Sequence, residues 1–372
     1  VYKGEEPFAS YLKKYFSANK KYGSKDRKQI SHLCYCFFRL GKALMNVQEE
    51  DRILTGLFLC SFHPNEILSA LKPEWNEKAH LPFSEKMAMI NFPLASVFPR
   101  HEELSEGIDH EKYCASFFVQ PDLFLRLRPG KEKDVKEKLQ RAGIGFNIIS
   151  DTCLAVDNAT KVDAVLELDT EAVIQDYNSQ QTGNFFYTAT HNRQPAAGKA
   201  WDCCAGSGGK SIMLHDLFPE IELTVSDRRG SILINLQKRF SRAGIKKYKS
   251  FVADLTGNPL PVTGHYDLIL ADVPCTGSGT WGRTPEQLYF YQQDKTSEYA
   301  ALQKKIMANV IPQIKPGGLL FYITCSVFKS ENEMNVDFIR QQFQLELLDK
   351  QVLRGYDKKA DTMFAALLKK PL

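Results

Sequence analysis

No stretch of the 372-residue chain runs eighteen apolar residues without interruption, so no segment reads as a membrane-spanning helix. No signal peptide is visible, and the chain begins at Val1 rather than at a methionine. The nine cysteines are odd in number and several sit inside apolar runs. They do not form a disulfide framework, and they argue for reduced thiols in a cytoplasmic protein. Nor do they read as a zinc site. Cys34 and Cys36 lie two apart, Cys203 and Cys204 are adjacent, and no second pair or histidine cluster completes a ligand set. No metal, no membrane and no internal repeat or low-complexity tract is expected. Charge of one sign is also scarce, with a net value of only +4.

The composition is that of a globular protein, 43% hydrophobic and 25% charged, and the length suits two or three domains. The modest charge is unevenly placed. Through residue 48, ten Lys and Arg stand against Glu5, Glu6 and Asp26, a local surplus of +7 ahead of a body that is near neutral. Such a region reads either as a polyanion-binding appendage or as a solvated lysine-rich helical face.

Residues 7–62 carry helical periodicity, with Phe8, Tyr11, Leu12 and Phe16 on one face and Ile30, Leu33, Phe37 and Leu40 on another. Ser24 is the expected N-cap of the second helix, with Asp26 in its first turn. Helical signals recur over 64–73 and 84–91 among punctuating prolines. From about residue 109 the pattern changes. Ser116–Arg128 reads as a strand, Val135–Ala142 as a short helix, and Gly145–Ile149 and Cys153–Val156 as further strands, which together make a small α/β module. Arg126 and Arg128 alternate with apolar residues on one face, placed either to grip phosphates or simply to meet solvent.

After residue 181, strands are expected at Ala200–Cys204, Leu223–Asp227, Ser250–Asp254, Tyr266–Asp272, Leu319–Thr324, Leu345–Leu348 and Met363–Leu368. Helices are expected at Lys210–Leu217, Ser231–Ala243, Glu286–Ile314 and Glu331–Gln342. The alternation predicts a largely parallel sheet covered on both faces. After its first strand comes Cys204-Ala205-Gly206-Ser207-Gly208-Gly209-Lys210, a glycine turn that opens a helix and leaves backbone N–H groups free for an anion. Alone this is a weak sign. Asp227, Asp254 and Asp272, at the ends of the next three strands, strengthen it, although any single aspartate is as often a cap or turn residue. An acid after the second strand suits ribose hydroxyls and one after the third suits an exocyclic amine. The inventory fits S-adenosylmethionine better than NAD, because nothing after the glycines is shaped for a pyrophosphate.

Two cysteines stand at strand ends in distinctive company: Asp272-Val273-Pro274-Cys275-Thr276-Gly277-Ser278-Gly279-Thr280, and Ile323-Thr324-Cys325-Ser326 followed by Val-Phe-Lys-Ser-Glu-Asn-Glu. A lone cysteine is usually a small buried hydrophobe, and Cys34, Cys36, Cys60, Cys114 and Cys153 are read that way. With the glycine turn, the two strand-end motifs resemble those of the RsmB/Nop2/Sun-type RNA cytosine-5 methyltransferases. In that family the glycine turn usually has Ala-Pro where this chain has Gly206-Ser207. The segment Lys25–Gly41 resembles the start of a NusB-like helical domain. The phrases around Phe124–Arg128 and Val173–Gln180 resemble an RNA-recognition-like module.

The resemblance implies a Rossmann-like S-adenosylmethionine methyltransferase domain over 181–372, preceded by a helical NusB-like RNA-binding domain over 1–108 and a small α/β module over 109–180. It implies cofactor contacts from Cys204, Ala205, Gly206, Ser207, Gly208, Gly209, Lys210, Asp227, Asp254 and Asp272. Cys325 becomes the nucleophile that adds to carbon 6 of cytosine, making carbon 5 able to take a methyl group. Cys275 assists release, Asp272 meets the cytosine edge, and Lys210 helps hold the base. The Gly277–Arg283 loop, carrying Trp281, is expected either to steady flanking nucleotides or to pack on the domain. The expected substrate is ribosomal RNA, with transfer RNA as the alternative, and the expected state is a monomer. Two other readings stay open: a non-catalytic RNA-binding assembly factor, and a nicotinamide-dependent oxidoreductase.

Overall fold

A computed structural model describes residues 2–185, 198–257, 260 and 265–372. The chain divides into two compact units: Val1–Leu104 with Ile108–Gln120 and Thr280–Gln293, and Ser105–Gly107 with Pro121–Gly279 and Asp294–Leu372.

The first unit is helical. Helices Phe8–Ala18, Ser24–Arg39 and Glu49–Cys60 bury the periodic apolar faces that the sequence displays, with Phe8, Leu12, Phe16 and Phe38 in one cluster and Cys36, Leu57, Phe58 and Leu68 in another. The second helix begins at Ser24, so the cap falls one residue earlier than expected. Gly23 is the cap, and the Asp26 carboxylate accepts its N–H at 2.9 Å. The expected strand over 116–128 is also corrected. Phe117 and Phe118 are buried in this helical unit, where Arg39 donates to the Phe117 carbonyl and, at 2.7 Å, to the Gln120 side chain. The expected helix over 286–314 breaks in two. Pro285–Phe290 belongs to the first unit, its buried Glu286 accepting the Phe8 N–H at 3.1 Å, and Asp294–Val310 belongs to the second.

The second unit holds two sheets. The smaller has strands β1 (Leu123–Leu127), β2 (Asn147–Ser150), β3 (Cys153–Val156) and β4 (Ala172–Ile174), in the order β2-β3-β1-β4 and all antiparallel, with helix Glu132–Arg141 following β1. The sequence reading missed β4, which is only three residues long. The reading of Arg126 and Arg128 as a free strand face is overturned. Both guanidinium groups bind the Asp216 carboxylate at 2.6 Å, and the Asp216 side chain is 5% exposed. Gln175 takes the Arg126 Nε at 2.8 Å, while Asn178 donates to the Leu353 and Asp361 carbonyls. The polar phrase around Asn178 is therefore a seam that fixes the small sheet to the large one.

The larger sheet has the order β10-β11-β9-β8-β5-β6-β7, with β5 (Lys199–Asp202), β6 (Glu222–Asp227), β7 (Tyr248–Val252), β8 (Tyr266–Asp272), β9 (Ile314–Thr324), β10 (Glu346–Leu353) and β11 (Met363–Lys369). Strands β9-β8-β5-β6-β7 are parallel, and β11 runs antiparallel to both of its neighbours. Separate apolar clusters cover the two faces, Ile212, Leu236 and Phe240 on one and Ile306, Met307 and Val336 on the other. The continuous apolar runs of β8 and β9 follow from this double burial. The parallel order also brings five strand ends to one edge, and the chemistry-bearing motifs lie along it.

Candidate active site

At the carboxyl end of β5 the chain turns through Cys203–Gly208 into helix Gly209–Leu217. Gly206 (φ +52°) and Gly208 (φ +85°) both occupy the left-handed region that favours glycine. A Cβ on Gly208 would sit 2.9 Å from Leu236 and Phe240, whereas one on Gly206 would meet nothing within 4 Å. Gly208 is thus fixed by packing below the turn, and Gly206 leaves an open cradle above it. Asp227, ending β6, accepts the Gly206 N–H at 3.0 Å and the Arg229 N–H at 2.9 Å, which holds the turn in shape. Asp254, just past β7, accepts from Thr256 and is half-exposed. Asp272 ends β8 and pairs with Lys210 at 2.6 Å.

Cys204–Lys210, Asp227, Asp254 and Asp272 therefore lie along the carboxyl edge of adjacent parallel strands, where open α/β sheets hold ligands. The donor set fits an adenosyl compound with an amino-acid tail. It offers open backbone at Gly206 and carboxylates at the ends of β6, β7 and β8. Among the described residues, no group of three or more His, Cys, Asp or Glu is placed to hold a metal. No helix among them is long and apolar enough to cross a membrane.

The next strands along the same edge bring the two cysteines together. β8 and β9 are neighbours in parallel register, with Asp272 opposite Ile323, so Cys275 and Cys325 leave the sheet side by side. The two thiols interact, Cys325 being the strongest influence on the Cys275 pKa. The contact with Cys325, then burial, then charge repulsion from Cys325 and Glu331 push the Cys275 pKa well above the ordinary thiol value. Lys210, paired with Asp272, also interacts with Cys325 through its charge. Burial acts to lower its pKa, but Asp272 and Cys325 outweigh that and the pKa is raised, so Lys210 remains an ammonium. Each thiol thus has a different charged neighbour. The turns themselves are tightly joined: the Gly279 N–H donates to the Cys325 carbonyl at 2.8 Å, and a Cβ on Gly279 would fall 1.8 Å from the Thr362 carbonyl oxygen. Only glycine fits there.

Trp281 is not presented to a ligand. It is 2% exposed and packs against Phe98 and Tyr291 in the helical unit, which settles the choice left open for that ring in favour of packing.

Two acids escaped the sequence reading as separate sites. Glu331 is wholly buried beside the cysteine turns. Its signal was the Ser-Glu-Asn-Glu phrase after Cys325, quoted there only as context. Asp202, ending β5, is 1% exposed, and its carboxyl is pushed from 3.8 up to about 7, chiefly by burial, despite a Ser211 hydroxyl donating at 2.5 Å. The folded state therefore holds this proton more tightly than the unfolded chain does. That contribution is full below pH 3.8 and lost as pH rises to about 7. Above that, a buried charge costs on the order of 4 kcal/mol as an upper bound, at 1.4 kcal/mol per unit. Asp202→Asn should gain in melting temperature relative to the parent between pH 5 and pH 8. A difference that stays constant over that range would refute the assignment.

Residues 192–367 match the family model described as 16S rRNA methyltransferase RsmB/F. A probable ribosomal RNA small subunit methyltransferase B from Synechocystis sp. is 27% identical over 242 residues, which are 63% of this chain and 53% of the relative. The chain thus spans about half the length of that curated relative. Among solved structures, the crystal structure of PH0851 superposes with a TM-score of 0.71 at 19% identity, covering 96% of this chain and 93% of that one. NSun6 from Pyrococcus horikoshii, crystallised with SFG, gives 0.59 at 15% identity, covering 70% and 94%. These structures share the fold, and the sequence match lies over the edge that carries the glycine turn and both cysteines. Through residues 192–367 the chain is similar to the RsmB/F-type methyltransferases, the family its glycine and cysteine motifs resemble.

Proposed function

We propose that the protein is an S-adenosylmethionine-dependent methyltransferase that modifies carbon 5 of cytosine in RNA, with ribosomal RNA as its substrate. One observation carries the reading: two thiols at the ends of neighbouring parallel strands beside a Lys–Asp pair, at the sheet edge that also bears an open glycine turn. The substrate class is supported by the ribosomal RNA named in the matching family and in the Synechocystis relative.

Bound S-adenosylmethionine would supply an electrophilic methyl group, and Gly206, Asp227 and Asp254 would hold its adenosyl portion. Cys325, which interacts with the Lys210 ammonium, adds through its sulfur to carbon 6 of the base, and carbon 5 gains the electron density it needs to be methylated. Asp272, held by Lys210, orients the ring edge. Solvent water takes the carbon 5 proton as base, the C–H pair forms the carbon 5–carbon 6 double bond, and the bond from sulfur to carbon 6 breaks with its electron pair returning to Cys325. Cys275, kept as a neutral S–H, donates its hydrogen bond to that departing sulfur.

The test has two arms. S-adenosylhomocysteine should raise the melting temperature by an amount that grows with ligand concentration, and NADH should not. Bisulfite sequencing of ribosomal RNA from cells with and without the protein should show one or more cytosines protected only when it is present. Stabilisation by NADH alone would favour the oxidoreductase. Cofactor binding with no cytosine lost from the bisulfite map would favour the non-catalytic assembly factor.

A further inference from the structure

Glu331 carries no role in the chemistry above, yet it is one of the most connected groups in the molecule. Its carboxylate is 0% exposed. One oxygen accepts the Thr276 N–H at 2.8 Å and the Gln303 amide at 3.4 Å; the other accepts the Thr276 hydroxyl at 2.6 Å and the Ser326 hydroxyl. Thr276 follows Cys275 directly, and Ser326 follows Cys325 directly. A single carboxylate therefore holds the residue after each thiol.

The surrounding bonds extend the same joint. The Gln303 amide also donates to the Pro274 carbonyl at 2.9 Å, on the near side of Cys275. The Ser278 hydroxyl meets the Ser326 hydroxyl at 3.2 Å and accepts the Val327 N–H at 2.9 Å. Tyr322, within β9, donates its hydroxyl to the Glu331 carbonyl at 2.6 Å, which fixes the backbone from which the carboxylate projects. Burial pushes the Glu331 pKa up while its four donors act to lower it, and four donors with no required acceptor suit an acceptor-only carboxylate. A buried carboxylate without a cation is costly unless its hydrogen bonds are complete, and here both cysteine turns provide them.

We propose that Glu331 is a positioning residue that clamps the Cys275 and Cys325 turns together and sets the spacing of the two thiols, so that both reach one base. This rests on the reading of the pair as a catalytic couple, but the clamp itself is a geometric property. The charge adds a second effect, because a carboxylate near Cys275 favours its protonated thiol while Lys210 stands by Cys325. Displacements of about 1 Å in such a couple can cost about 100-fold in rate.

The experiment measures spacing and catalysis separately on the full chain. Diamide, a diazene that takes up the two thiol hydrogens and becomes a hydrazine, oxidises neighbouring thiols to a disulfide. The Cys275–Cys325 link is read by peptide mapping. Glu331→Ala should slow that link by about tenfold or more and lower kcat by about 100-fold, with KM and S-adenosylhomocysteine affinity within about threefold of the parent. Glu331→Gln, which keeps the shape and one acceptor, should restore linking to within about threefold. Thr276→Val and Ser326→Ala each remove one strand of the clamp and should slow linking even if Glu331→Ala does not fold. Linking at the parent rate in folded Glu331→Ala, or in both single-strand variants, would overturn the clamp. If linking responds as expected while no variant or parent methylates cytosine, the clamp stands and the cytosine assignment falls.

Discussion

Cys275→Ala protein, incubated with substrate RNA and S-adenosylmethionine, should accumulate a covalent protein–RNA adduct on denaturing gels, and Cys325→Ala protein should form none. Both thiols leave the same sheet edge at the ends of neighbouring strands, so position alone does not distinguish them. Their charged surroundings do. Cys325 interacts with the Lys210 ammonium, and Cys275 is held protonated by Cys325, by burial and by Glu331. On the proposed reading Cys325, with a cation in its surroundings, makes the first bond to the base, and Cys275, a protonated thiol able to donate a hydrogen bond, assists in breaking it. Loss of the nucleophile should remove methyl transfer by on the order of 10⁴-fold. Loss of the donor should spare the first methylation and slow turnover by about 100-fold, the usual scale of acid–base assistance, with enzyme trapped on its product. Adduct in Cys325→Ala and none in Cys275→Ala would exchange the two roles.

The parallel sheet and its row of strand-end motifs were legible because a doubly covered strand is a continuous apolar run, and the residue after it is the one that meets solvent. Tyr266–Asp272 and Met363–Leu368 are such runs, and the observed strands begin where expected and end within one residue. What the sequence hid depended on partners distant along the chain. Arg126 and Arg128 alternate like a solvent-facing strand, and only Asp216, some ninety positions later, reveals them as buried. Trp281 sits in a glycine-rich segment that reads as a loop, yet its ring is enclosed by Phe98 and Tyr291. Glu331 carries an ionisable group and follows a lysine and a serine, a pattern that reads as surface; its burial is made tolerable by Thr276, Ser326 and Gln303. The break between Phe290 and Asp294 was hidden because both flanks carry helix-forming residues, and the division of the chain between two units separates them.

Lys210→Met should lower the rate of adduct formation, measured in the Cys275→Ala background so that the product of the first step accumulates, by about 100-fold. Methionine keeps the length of the side chain and removes its charge. Asp272 loses a partner held at 2.6 Å in a place where its own side chain is 27% exposed, and Cys325 loses the cation that interacts with it. Both losses act on the same step, since negative charge on sulfur and a correctly held ring edge are needed when the sulfur–carbon bond forms. Because the Lys210 pKa is raised, the ammonium is present throughout the neutral range. Its removal should therefore depress the rate across pH 6–9 without creating a new inflection that belongs to the lysine itself. Lys210→Arg keeps the charge and changes the shape, and should recover part of the rate. If Lys210→Met instead leaves adduct formation intact and weakens only S-adenosylhomocysteine binding, the lysine belongs to the glycine turn's ligand, and the distinction between the two thiols must come from Glu331 alone.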